Sequence, residues 1–124
     1  MVTRPVIAII DDDENVRISL SSLLRSYGYM ARLYDSAEDF LAADNIAGLH
    51  CLVSDIQMPG KSGLQMYQQL LAQGIRLPVI FITASSDQAP RLLAEQLGAK
   101  CYLPKPFDGE DLIGCLRVAL KEHG

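Results

Sequence analysis

The stretch Val6-Ile7-Ala8-Ile9-Ile10-Asp11-Asp12-Asp13 decides how the rest of the chain is read. Five apolar, mostly β-branched residues run without a polar interruption, which suits a strand covered on both faces. Three acids follow at once. A helical pattern then begins, with Val16, Leu20, Leu23, Leu24 and Tyr27 at three- and four-residue steps and Gly28 placed to end it.

The same unit recurs down the chain. Tyr29 to Tyr34 reads as a weaker strand, and Ser36 caps a helix through Leu41 and Ala42. Leu49 to Ser54 is a third strand ending at Asp55. Gln57-Met58-Pro59-Gly60 is a turn, and Leu64, Tyr67, Leu70 and Leu71 mark the next helix. Pro78 to Thr83 is a clear fourth strand. The small polar loop Ala84 to Asp87 leads into a helix that tolerates Pro90 in its first turn, has Leu92, Leu93 and Leu97 on its inner face and ends at Gly98. Lys100 to Leu103 is a fifth strand. Asp108 caps a last helix whose inner face is Leu112, Ile113, Leu116 and Leu120. Strands alternating with helices predict an α/β fold, a five-stranded parallel sheet with helices on both faces.

Composition agrees. The 124 residues suit one domain, residues 1–124, with no repeat or linker, and 49% are apolar. The net charge of −4 argues against a nucleic-acid surface on this chain itself. No apolar run is long enough to span a bilayer, and Met1 to Pro5 lacks the pattern of a signal peptide. The expectation is a cytoplasmic protein. Cys51, Cys101 and Cys115 are odd in number and form no CxxC pair, so buried reduced thiols are expected.

In such sheets the site lies beyond the carboxyl ends of the strands, where strand order reverses. The residues there are Asp11 to Asp13, Asp55, Thr83 and Lys105. Each has an ordinary reading alone: acids at a helix start, a turn aspartate, a strand threonine, a surface lysine. Gathered at one edge, close carboxylates repel by roughly 1 to 4 kcal/mol per pair and call for a counter-ion. An all-oxygen donor set suits a hard cation such as Mg²⁺. Lys105 stands between Pro104 and Pro106, which restrict its backbone. A carboxylate nucleophile, a cation and an ammonium together fit phosphoryl transfer, which needs positioning and charge stabilisation.

Four segments in this order resemble the receiver domain of two-component response regulators: Ile9 to Asp13, Val53 to Gly60 with Ser62-Gly63, Pro78 to Ala84, and Gly98 to Lys100 through Lys105-Pro106-Phe107. The resemblance runs from Val6 to about Leu120. It implies a flavodoxin-like fold, a doubly wound sheet of strand order 2-1-3-4-5 with five helices. It implies Asp55 as the acceptor of a phosphoryl group from a sensor histidine kinase. Asp12, Asp55 and the main-chain carbonyl of Gln57 would touch Mg²⁺, with Asp11 acting through water. Lys105 would contact the phosphoryl oxygens, and the Lys105-Pro106 bond would be cis. Thr83 and Tyr102 would form a switch that lets Tyr102 turn inward and re-shapes the face of the fourth helix, fifth strand and fifth helix. A homodimer through that face on phosphorylation, and DNA contact only through an output domain absent from this chain, are further expectations. The domain would be a signalling acceptor that assists its own phosphorylation and dephosphorylation, not an enzyme acting on others. Its segments are most similar to receivers of helix-turn-helix transcription factors.

Two other readings stay open from the residues. A haloacid-dehalogenase-type phosphatase would use Asp11 and Asp13, but leaves Asp55 and Met58-Pro59-Gly60 without a role. A receiver-shaped module that is never phosphorylated would have no need to assemble Asp11, Asp12, Asp55, Thr83 and Lys105.

Overall fold

The computed structural model describes residues 4–43 and 46–123, with side chains as far as residue 121; Met1 to Thr3, part of the segment read above for a leader, lie outside it. The strands are β1 (Val6–Ile10), β2 (Met30–Tyr34), β3 (Cys51–Asp55), β4 (Val79–Thr83) and β5 (Cys101–Pro104). The helices are α1 (Glu14–Ser26), α2 (Ala37–Leu41), α3 (Gly63–Ala72), α4 (Gln88–Leu97) and α5 (Gly109–His123), and one 3₁₀ turn covers Ile46–Gly48. The strands form a single parallel sheet of order β2-β1-β3-β4-β5. This is the doubly wound, flavodoxin-like order, and strand order reverses between β1 and β3.

Strand alternation sorts the core into two layers. Ala8, Ile10, Leu52 and Phe81 face α2, α3 and α4, together with Phe40, Met66 and Leu70. Ile7, Ile9, Val53, Ile80 and Ile82 face α1 and α5, with Leu24, Leu112 and Leu116. β1, β3 and β4 are buried along their whole length, as their continuous apolar runs predict. β5 has no fully buried residue and, among the described residues, pairs with β4 alone.

The helix starts are set by local chemistry. Asp13 accepts from the Asn15 amide, Ser36 from the Asp39 amide, and Ser62 with Gln65 forms a reciprocal capping box. Gly28 and Gly98 end α1 and α4 at φ of +88° and +96°, where a side chain would be strained.

Three expectations are corrected. Leu92 is 54% exposed, and Ala94 is the fully buried residue of α4. Two residues turn a helix by about 200°, so the face that seats Ala94 sends Leu92 to solvent. Tyr27 is also exposed, its ring lying 5.8 Å from the Arg117 guanidinium. Cys101 and Cys115 are not free thiols but a disulfide, because β5 and α5 bring their Cα atoms to 6.1 Å. Cys51 alone is free, and burial pushes its thiol up to about 12.

Candidate phosphoryl-acceptor site

The carboxyl ends of β1, β3, β4 and β5 meet at one edge of the sheet. Asp11 follows β1 directly and is fully buried. Its amide donates to the Tyr34 carbonyl, and its own carbonyl accepts from Arg17 Nη1 at 2.7 Å. Its Oδ1 accepts from the Asp13 amide at 2.9 Å. Asp13 points its carboxylate at the start of α1 and serves as the cap, not as a member of the cluster.

Asp55 is the last residue of β3 and is 7% exposed. Its Oδ1 accepts from the Gln57 amide at 3.3 Å. The turn beyond it is tight: the Gly63 amide donates to the Ile56 carbonyl at 2.9 Å. A Cβ on Gly63 would strike the Asp55 main-chain oxygen, so only glycine lets α3 begin this close to the strand. Glu38 of α2 holds the same loop from outside, accepting from the Lys61 amide.

Lys105 spans the two acids. Its Nζ donates to Asp11 Oδ2 at 3.2 Å and to Asp55 Oδ2 at 3.3 Å. The Lys105 amide donates to the Thr83 carbonyl at 2.7 Å, which ties the loop to β4, and the Lys105-Pro106 bond is cis. Asp11, Asp12 and Asp55 each offer an oxygen within 4.8 Å of the others. Three carboxylates therefore face one ammonium, and two negative charges stay uncompensated among these groups. Asp12 is exposed, so an ion can reach the cluster from solvent. Hard oxygen donors, excess negative charge and an open side fit a hard divalent cation.

Thr83 and Tyr102 stand apart from the cluster but close to each other. Thr83 Oγ1 accepts from the Ser85 amide at 3.1 Å. The Tyr102 hydroxyl is fully buried without a well-formed hydrogen bond, and its ring lies 5.7 Å from the Arg91 guanidinium. Burial raises its pKa, against a smaller lowering by the nearby Thr83 hydroxyl and by Arg91. The hydroxyl thus points inward.

Electrostatics separate the two partners of the ion pair. Burial raises the Asp55 carboxyl above its ordinary value; Lys105 pulls it down and Asp11 pushes it up again. Burial lowers Lys105, but the charges of Asp55 and Asp11 outweigh it and hold the ammonium above its ordinary 10.5. Attraction alone would lower Asp55; it does not win there because Asp55 is deeper and also faces Asp11. An acid whose folded pKa is raised favours folding fully only when protonated, and loses that contribution as pH rises through the folded value. Ionised Asp55 thus costs stability at neutral pH. Without metal, Asp55→Asn is expected to melt above the parent at pH 7, with the gap closing as pH falls towards about 4. Melting curves from pH 4 to 8 in chelator test this; an Asn variant less stable throughout would overturn it.

A family model of the response regulator receiver domain matches residues 7–117. The chain belongs to the response regulator receiver domain family. This receiver is 41% identical over 116 residues to the response regulator protein TodT of Pseudomonas putida, covering 94% of this chain and 51% of TodT. It is 35% identical to the transcriptional regulatory protein FixJ of Bradyrhizobium diazoefficiens, covering 98% of this chain and 60% of FixJ. The chain thus spans about half the length of the curated relatives it matches. Among solved structures, the response regulator StyR superposes with a TM-score of 0.89 at 37% identity, covering 97% of this chain and 61% of StyR. The FixJ-N crystal structure gives a TM-score of 0.87 at 32% identity, covering 97% and 96%. Of these, TodT and StyR are response regulators and FixJ is a transcriptional regulatory protein. No helix among the described residues of this receiver is long and apolar enough to cross a membrane.

Every acid and base expected from the sequence at the receiver site is at the sheet edge. Sequence reasoning missed Arg17, which braces the Asp11 carbonyl, and Glu38, which braces the loop after Asp55. Both act through the backbone and belong to no chemical motif.

Proposed function

We propose that this receiver accepts a phosphoryl group on Asp55 from the phosphohistidine of a sensor histidine kinase, and relays that event to a face built by α4, β5 and α5. The observation that carries this reading is Lys105 bridging Asp55 and Asp11 beside an open, acidic cluster. Asp11, Asp12, Asp55 and the Gln57 main chain would hold Mg²⁺, which when bound supplies charge neutralisation between anionic nucleophile and anionic donor.

Asp55 is held for the attack. Its backbone is fixed by the Ile56 pairing to β4, and Oδ1 is oriented by the Gln57 amide. One carboxylate oxygen attacks phosphorus in line; the bond from phosphorus to the donor imidazole nitrogen breaks, and the imidazole leaves with a proton from solvent. Lys105 swings from the carboxylate to a phosphoryl oxygen, a short move for an ammonium already within hydrogen-bond reach. The apolar cleft beside it, lined by Val16, Leu20, Pro106 and Phe107, suits a helix of the kinase. Thr83 follows the new anion, and Tyr102 beside it responds, which re-shapes the α4–β5–α5 face. The receiver acts as a signalling acceptor that assists its own phosphorylation, and dimerises through that face; DNA is contacted only through an output domain outside this chain. A cytoplasmic location follows from the kinase partner.

The test is incubation with Mg²⁺ and acetyl phosphate, read by intact mass. One added, hydroxylamine-labile phosphoryl group is expected in the native chain, and none in Asp55→Asn or in chelator. A label that persists in Asp55→Asn and vanishes in Asp11→Asn would overturn the assignment.

A further inference from the structure

We propose that the Cys101–Cys115 bridge is a reversible clamp on the β5–α5 corner, closed by thiol oxidation and opened by reduction, and that its state sets the mobility of the segment carrying Tyr102 and Lys105. Its bearing on signalling rests on the receiver reading; the clamp itself does not.

The first ground is position. β5 is an edge strand of four residues, none fully buried, and among the described residues it pairs with β4 alone. Like β2 at the other edge, it is less secured than the three central strands. The bridge joins its first residue to the second turn of α5, across a separation of 14 residues. Tyr102, Lys105 and the cis Lys105-Pro106 bond all lie inside the loop so closed. Closing a loop of this length removes many open conformations of the segment.

The second ground is geometry across the strand. Cys101 joins the layer that faces α5, whereas Tyr102, the next residue, joins the layer that faces α4. A covalent tie on one face therefore fixes the backbone from which the tyrosine hangs on the other. With the tie open, β5 is held at this corner by its ladder to β4 and by half-buried packing alone.

The third ground is access. Cys101 and Cys115 are both half-buried, while Cys51 is fully buried and its thiol is pushed up. Reactive thiols need exposure and thiolate character, so only the bridged pair is open to exchange. Exposed disulfides are the labile ones in thiol–disulfide exchange, and this bridge lies between two half-buried residues at a sheet edge.

The closing step balances with an oxidised low-molecular-weight disulfide such as oxidised glutathione. One protein thiolate attacks the reagent and releases one reagent thiol, leaving a mixed disulfide. The second protein thiolate attacks that bond and releases the other. Two protein S–H bonds become one S–S bond, and one reagent disulfide becomes two thiols.

The experiment uses the whole chain in glutathione buffers from strongly reducing to strongly oxidising, quenched in acid. Thiols are counted by alkylation and intact mass, and backbone exchange is followed by deuterium uptake. One free thiol is expected at the oxidising end and three at the reducing end, with half-conversion inside the range. The reduced form is expected to melt lower by roughly 10 °C and to exchange faster at residues 102–107. Cys101→Ser and Cys115→Ser should match the reduced form under all buffers, and Cys51→Ser should still titrate. A thiol count that stays fixed across the series would overturn the reversible clamp. So would equal exchange at 102–107 in both thiol states. A parallel series with Mg²⁺ and beryllium fluoride reports separately on the receiver reading. If thiol state changes exchange but neither form responds to beryllium fluoride, the clamp stands and the phosphoryl reading falls.

Discussion

Lys105→Ala is expected to slow phosphoryl uptake at Asp55 by about 100- to 1,000-fold, the usual cost of removing one preorganised charge stabiliser. The ammonium touches both carboxylates, Asp11 and Asp55, whereas Arg17 reaches only the Asp11 main-chain carbonyl. Without it, the charge that develops on the phosphoryl oxygens has no lysine partner. The same substitution has an opposite effect on cation binding. The ammonium competes with any divalent ion for the same carboxylate oxygens, so its loss leaves the cluster more negative and tightens Mg²⁺ binding. Uptake from acetyl phosphate at saturating Mg²⁺, with calorimetric titration of Mg²⁺ beside it, reads the two effects separately. Uptake within threefold of the parent would remove Lys105 from the chemistry. Weaker Mg²⁺ binding would show that the lysine holds the site's shape and not its charge.

Phe81→Ala is expected to cost about 3 to 5 kcal/mol, the range for deleting a buried aromatic side chain. Phe81 is fully buried in the middle of β4 and meets the Tyr67 ring edge-on at a centroid distance of 5.8 Å. Its neighbours are elements already packed around the sheet, so little can move in to fill the space. A domain of this kind has about 5 to 15 kcal/mol in total. The variant should therefore unfold at a much lower urea midpoint with an unchanged slope. Because Phe81 pairs in register with Tyr102, loosening should spread to β5 before it reaches β1. A loss under 1 kcal/mol would mean that the α3 side of the sheet collapses freely around the gap.

The fold was legible where strands are apolar throughout. Val6 to Ile10, Leu52-Val53 and Val79 to Ile82 allow no reading but a doubly covered strand, and their order with helices between them leads to the 2-1-3-4-5 sheet. The site was legible for a related reason: strand ends converge by topology, so acids and a lysine placed there must meet. Helix faces were harder. In α4 three leucines suggested one inner face, but adjacent Leu92 and Leu93 point about 100° apart, and small Ala94 took the innermost place. The disulfide was not legible at all. Cys101 and Cys115 lie 14 residues apart with no motif between them, and only the return of α5 over the edge strand brings them together. The bracing by Arg17 and Glu38 was hidden likewise, since each aims at main-chain atoms whose positions depend on the finished fold.

Gly63 sits against the Asp55 carbonyl with no room for a side chain. Its amide is bonded to Ile56, and Ser62 caps the helix that starts beside it. The turn from β3 into α3 is therefore inextensible, and strand end and helix start form one rigid part. Anyone transplanting this aspartate site into another parallel sheet has to move Ser54 to Gln65 as a single cassette. Grafting the aspartate alone would leave it at the tip of a turn whose dimensions belong to a different protein.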